Sequence, residues 1–193
     1  MTSLTQQVKT RHLPGEEGIW VLILGDMLIF GLFFGTFLFY RNQQPELFLL
    51  SQEKLNQHYG AINTLLLLTS SWFVAMAVHL YRKNETAKTA LFITLAASCG
   101  LGFAVIKIIE FREKIVAGIN LTTTDFFMYY FMFTGIHFIH VIIGLVVLFV
   151  LWRTARRGYC DEHGLRTMEN GASFWHMVDL LWIVLFPLIY LLK

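Results

Sequence analysis

Eleven polar or aromatic residues lie where this chain could do chemistry. The densest group is Trp175, His176, Val178, Asp179 and Trp182, inside an unbroken apolar stretch. On a helix His176 and Asp179 are i,i+3 neighbours, and the two tryptophans sit two turns apart on nearly one face. An ionisable pair flanked by indoles fits either an intramembrane proton site or a surface that recognises another helix. A second group is Thr134, His137 and His140, followed by Gly144. Two histidines on adjacent turns can share a metal or haem, but zinc and iron normally need further ligands at fixed spacing. No Glu-x-x-His, His-Glu-x-x-His or Cys-x-x-Cys occurs, and Cys99 and Cys160 stand far apart. The histidines are therefore expected to hydrogen-bond across helices, and the chain to bind no haem, copper, iron or zinc itself.

Four further polar residues stand in the spans or at their edges. Asp26 is either a proton-relay carboxylate or a group tying two helices together; its sequence neighbours Gly25, Ile29 and Phe30 offer no polar partner. Lys107 and Glu110 are i,i+3 and can pair, or reach for the membrane surface, or Lys107 can answer Asp26 or Asp179. His79, beside Tyr81 and Arg82, reads as an interfacial imidazole.

The elements that must position these residues follow from composition. The chain is 56% hydrophobic and 15% charged, which excludes an ordinary soluble domain and points to a polytopic membrane protein. About 20 apolar residues at ~1.5 Å rise cross a bilayer. Five spans meet that test, near residues 19–40, 61–81, 89–109, 125–152 and 171–192. The expected fold is all-α, a single five-helix transmembrane domain, with only an N-terminal arm and four short loops left over. The polar, charged start argues against a cleaved signal peptide. Nothing suggests nucleic-acid binding.

Local signals refine the spans. Gly31 and Gly35 form a small-xxx-small pattern, expected to pack inside the bundle, with docking of a partner helix as the alternative. Ala96, Gly100 and Gly102 read the same way in the third span. Asp125, after Thr122, Thr123 and Thr124, is expected to cap the fourth helix. Pro187 should bend the last one. Lys9, Arg11, Arg82, Lys83, Lys88, Arg153, Arg156, Arg157 and Arg166 fall on the N-terminal side, against Arg41, Lys54, Lys107, Arg112, Lys114 and Lys193 on the other. That asymmetry predicts a cytoplasmic N-terminus and an external C-terminus.

At this point the residues carry a family resemblance. The chain resembles subunit III of the haem–copper oxidases. That family has a Thr-Gly-x-His-x-x-His-Val segment, matched from Thr134 to Val141. It also has a terminal Trp-His-x-Val-Asp-x-x-Trp, matched by Trp175, His176, Val178, Asp179 and Trp182. Asn63 and Thr64, His79 and the acidic Asp26 agree as well. The chain looks like the five-helix bacterial form, without the extra N-terminal helix pair of the mitochondrial type. One departure is His58, which stands where larger members carry a membrane-facing glutamate. The segment from Pro14 to Trp20 is similar to the branch that accompanies nitric oxide reductase.

The resemblance implies a non-redox subunit of a bacterial inner-membrane terminal oxidase in aerobic respiration. It would support the stability and proton uptake of catalytic subunit I, which carries haem with copper or iron, and would hold structural phospholipid. The named polar residues, Glu110 included, would then serve packing or subunit contact. Two alternatives stand beside it: an accessory subunit of nitric oxide reductase, and a small proton-coupled transporter, for which neither inverted repeats nor broken helices are visible.

Overall fold

A computed structural model describes residues 17–192. Among them are six α-helices and no strand: α1 (Glu17–Gln43), α2 (Pro45–Gln52), α3 (Gln57–Arg82), α4 (Thr86–Val116), α5 (Asp125–Ala155) and α6 (Glu162–Phe186). A π-helical turn, Pro187–Leu191, continues α6. Five helices are long and apolar enough to cross a membrane. The N-terminal arm, with Lys9 and Arg11 and with Pro14, Gly15 and Glu16 of the segment from Pro14 to Trp20, lies outside the described residues, as does Lys193.

The spans run longer than the apolar scan suggested, because their polar ends stay helical. α6 starts at Glu162, nine residues before the apolar run begins at Gly171. Asp161 caps it by accepting the Gly164 amide at 2.8 Å, and Arg166 pairs with Glu162 one turn on at 2.6 Å. Asn56 caps α3 by accepting the His58 amide. At α5 the cap is Thr124, whose hydroxyl accepts the Phe127 amide; Asp125 is the first helical residue, so the capping role expected for it falls one position earlier. Between α1 and α3 the sequence held an unexpected element: α2, opened by Pro45 at its first turn, buries Phe48 against Phe37 and Phe126.

Helices α3, α4, α5 and α6 form a closed ring, α3 on α4, α4 on α5, α5 on α6 and α6 back on α3. Charged and small residues make the ring tight. Gly100 and Gly144 face the Trp175 ring so closely that a methyl group at either would overlap it. Gly60 faces Phe186 in the same way. At the loop end Arg82 of α3 pairs with Glu169 of α6 at 2.7 Å, and Asn84, in left-handed backbone with φ 61°, accepts the Cys160 amide. These contacts bring the α3–α4 and α5–α6 loops together.

α1 lies outside the ring, against α6 and along α5. It is the least buried span, while α6 is the most buried. On its inner stripe Phe33, Phe34 and Phe37 meet Tyr129 and Phe133 of α5, and Phe30 meets His140. Gly31 and Gly35 are not on that stripe: no atom would lie within 4 Å of a methyl group added at either. The expectation that they pack inside the bundle is therefore corrected. Five and nine residues from Asp26 at 100° steps, they turn away from the inner face. Pro187, in turn, does more than bend a continuous α-helix, since the chain passes there into the π-helical turn that carries Tyr190 inward.

Candidate functional site: a polar seam inside the bundle

The sequence-singled residues of α3, α4, α5 and α6 converge on the ring's interior. His137 is fully buried, and its Nε2–H donates to the Val178 carbonyl of α6 at 3.0 Å. Its ring lies between Phe103 and Trp182, with centroids 5.6 and 5.2 Å away. Since Nε2 faces a carbonyl, the proton is assigned there; Nδ1 is buried with no partner. Trp182 donates from Nε1 to Thr64 Oγ1 at 3.0 Å, and Thr64 donates to the Gly60 carbonyl. Asn63, next to it, is fully buried, and its side-chain amide makes no hydrogen bond to described residues. Thr134 donates to the Tyr130 carbonyl in its own helix.

Lys107 and Glu110 answer the question the sequence left open. They pair with each other, Nζ to Oε2 at 2.9 Å, and both side chains are essentially inaccessible. Tyr190 completes a triangle: Lys107 Nζ donates to its hydroxyl at 2.9 Å, and that hydroxyl donates to Glu110 Oε1 at 2.6 Å. The rings of Phe111, Tyr130, Trp182 and Tyr190 surround the ammonium at 5.1–5.5 Å. A buried charge pair is tolerable in hydrocarbon only with this degree of compensation. Tyr190 was not singled out in the sequence, because its distance from Glu110 along the chain hides the contact; a tyrosine after Pro187 in an apolar span was the one available signal.

One sequence expectation about partners is corrected here. His176 and Asp179 do not form a pair. His176 Nδ1 meets the Ser71 hydroxyl of α3 at 2.5 Å, and Asp179 Oδ1 is buried without a hydrogen-bond partner among the described residues. A serine of another helix thus takes His176, and the tandem Ser70 and Ser71 in an apolar span was the overlooked signal. Ser70 donates to the Ala96 carbonyl of α4 at 2.8 Å. Asp26, which lacked a partner among its sequence neighbours, finds one across the bundle. Its Oδ2 lies 3.3 Å from His140 Nε2 on α5. His79 is exposed near the end of α3, in keeping with an interfacial place.

Where the polar groups of the seam are partnered, they meet backbone carbonyls, hydroxyls and each other, and among the described residues no three His, Cys, Asp or Glu side chains gather as metal ligands would. Outside the seam, an apolar groove between α4 and α5 is lined by Ile93, Ala97, Leu101, Leu145, Phe149 and Trp152. It ends where the Arg156 guanidinium sits 5.4 Å over the Trp152 ring.

Fold and seam together define a multi-pass helical membrane protein. The family model for cytochrome c oxidase subunit III matches residues 13–193, and the chain belongs to that family. Cytochrome c oxidase subunit 3 of Synechocystis is 28% identical, covering 99% of this chain and 86% of its own. Cytochrome bo(3) ubiquinol oxidase subunit 3 of Buchnera aphidicola is 27% identical, covering 91% and 92%. Cytochrome c oxidase subunit 3 of Bacillus strain PS3 is 27% identical, covering 91% and 84%. None of these names supports the nitric oxide reductase or transporter alternative. Membership in the family implies assembly into an oxidase complex.

Proposed function

We propose that this chain is the non-redox subunit III of a haem–copper terminal oxidase and that it supports the stability and proton uptake of the catalytic subunit. The carrying observation is the family match over residues 13–193, shared with relatives named for both cytochrome c and quinol oxidases. The seam supports the same reading. Glu110, His137, His176 and Trp182 each place one polar atom on a neighbouring element of the bundle, in keeping with ties between helices. Haem and copper belong to the partner, catalytic subunit I. The complex sits in a bacterial cytoplasmic membrane with the N-terminus of this chain inside, as the arginines after α5 favour. A structural phospholipid suits the α4–α5 groove, with acyl carbon along Leu101 and Leu145 and phosphate near Arg156.

Affinity purification of the tagged chain in mild detergent tests the assignment. A stoichiometric large subunit with an oxidase haem spectrum is expected. Recovery of the folded chain alone, from membranes that contain active terminal oxidase, would overturn it.

A further inference from the structure

Asn63 stands apart among the buried polar residues of the ring. Its side chain has no accessible surface, yet neither Oδ1 nor Nδ2 meets a hydrogen-bonding group among the described residues. Buried amides in folded proteins are as a rule satisfied, by protein or by ordered water. Hydroxyls in the same spans find protein partners. Thr64, Thr94 and Thr134 each donate to the carbonyl four residues back in their own helices. Ser70, two turns along the buried stripe of α3 from Asn63, donates to the Ala96 carbonyl of α4. Asn63 uses neither route.

Its surroundings limit what can meet it. The Ser70–Ala96 and Tyr59–Glu113 bonds fix an antiparallel register of α3 on α4. Two turns from Ser70, Asn63 therefore lies at the level of Phe103. That ring is fully buried, with the His137 ring 5.6 Å away and the Trp182 ring 4.9 Å away. His137 Nδ1 is a second buried atom there without a partner. Full burial of Asn63 keeps acyl chains and outside helices away from the amide.

The chemistry of the amide is two-sided, since Oδ1 accepts and Nδ2 donates. A cation would serve only the oxygen and an anion only the nitrogen. A small hydroxylic molecule serves both: it accepts from the N–H on the carbonyl side of the amide and donates to the carbonyl oxygen, in one cyclic contact. Water is the smallest molecule able to do so.

We propose that Asn63 is the binding site of an internal water molecule, held inside the α3–α6 ring by Nδ2 and Oδ1 of that one amide. A buried water needs about two to four polar partners, and the amide supplies two. The polar interior of the ring is then hydrated at the level of Phe103, although no surface opens to it.

Isotope-edited infrared difference spectroscopy of the full chain in lipid nanodiscs tests this. Wild type is compared with Asn63→Leu in ordinary water and in heavy-oxygen water, with helix content and thermal midpoint measured alongside. The expected result is an O–H stretching band in the wild type that moves to lower frequency in heavy-oxygen water and is lost in Asn63→Leu. A folded Asn63→Leu chain that keeps every such band would overturn the proposal. A density map of the wild-type chain in its complex, at a resolution that shows ordered water, gives a readout independent of the variant. It should place a peak within hydrogen-bonding distance of both Nδ2 and Oδ1. An amide bonded directly to a protein group, with no such peak, would overturn the site whatever the variant does. Neither result bears on the subunit III assignment.

Discussion

Lys107 and Glu110 set the energetics of single residues in this bundle. Their charges compensate each other and Tyr190 in a place without water. Removing either alone strands the other, at about 3–5 kcal/mol. Lys107→Met should therefore lower the unfolding midpoint in detergent sharply, and Lys107→Met combined with Glu110→Leu should be less damaging than the sum of the two. Strictly additive losses in that double-mutant cycle would mean the pair is not coupled. Asp179 gives a second test at this scale. Asp179→Ala removes a buried carboxylate but leaves the bond between Ser71 and His176. It should reduce retention in the complex while haem-based turnover of the retained complex persists; normal retention with abolished turnover would assign Asp179 a chemical role. At this scale, legibility followed distance along the chain. The i,i+3 spacing of Lys107 and Glu110 pointed to their contact. The same spacing misled for His176 and Asp179, because Ser71 of another helix takes the His176 ring nitrogen. Asp26 and His140 meet only through tertiary packing, which no local pattern encodes.

Glycines separate the packed helix faces from the open ones. Gly144→Ala would drive a methyl group into the Trp175 ring, and overpacking of that kind costs about 1–3 kcal/mol. Gly31→Ala and Gly35→Ala meet open space and should leave the isolated subunit unchanged or raise its stability by up to about 1 kcal/mol through helix propensity. Thermal unfolding of the three variants in one detergent checks both signs; equal destabilisation at Gly31 and Gly144 would contradict the placement of α1. The five spans were legible because hydrophobic length alone defines a membrane helix. Their ends were not, since capped and charge-paired turns outside the apolar run, as at Glu162–Arg166, remain helical. α2 was missed because eight residues are too few for periodicity to stand out. The Gly31–Gly35 spacing signalled a close-packing face without saying whether the partner lies inside or outside this chain.

For the whole molecule, orientation and role are the two claims that matter. Cys160 lies in the α5–α6 loop, outside the spans. Burial, and after it the Asp161 carboxylate, hold its thiol above the ordinary range. Since thiolate is the reactive form, labelling by a membrane-impermeant maleimide should keep rising at pH values where an exposed thiol has levelled off. With the N-terminus inside, this loop is cytoplasmic, and Cys160 should label in inverted vesicles and stay protected in right-side-out ones. The reverse pattern would invert the topology. The role is tested most directly by deleting the gene and following the remaining complex through successive turnovers. A subunit that supports another's catalysis predicts a nearly unchanged haem spectrum and normal initial electron transfer, followed by faster loss of activity or stability. A fully assembled, haem-loaded core that fails from its first turnovers would mean that this chain carries chemistry, contradicting the account.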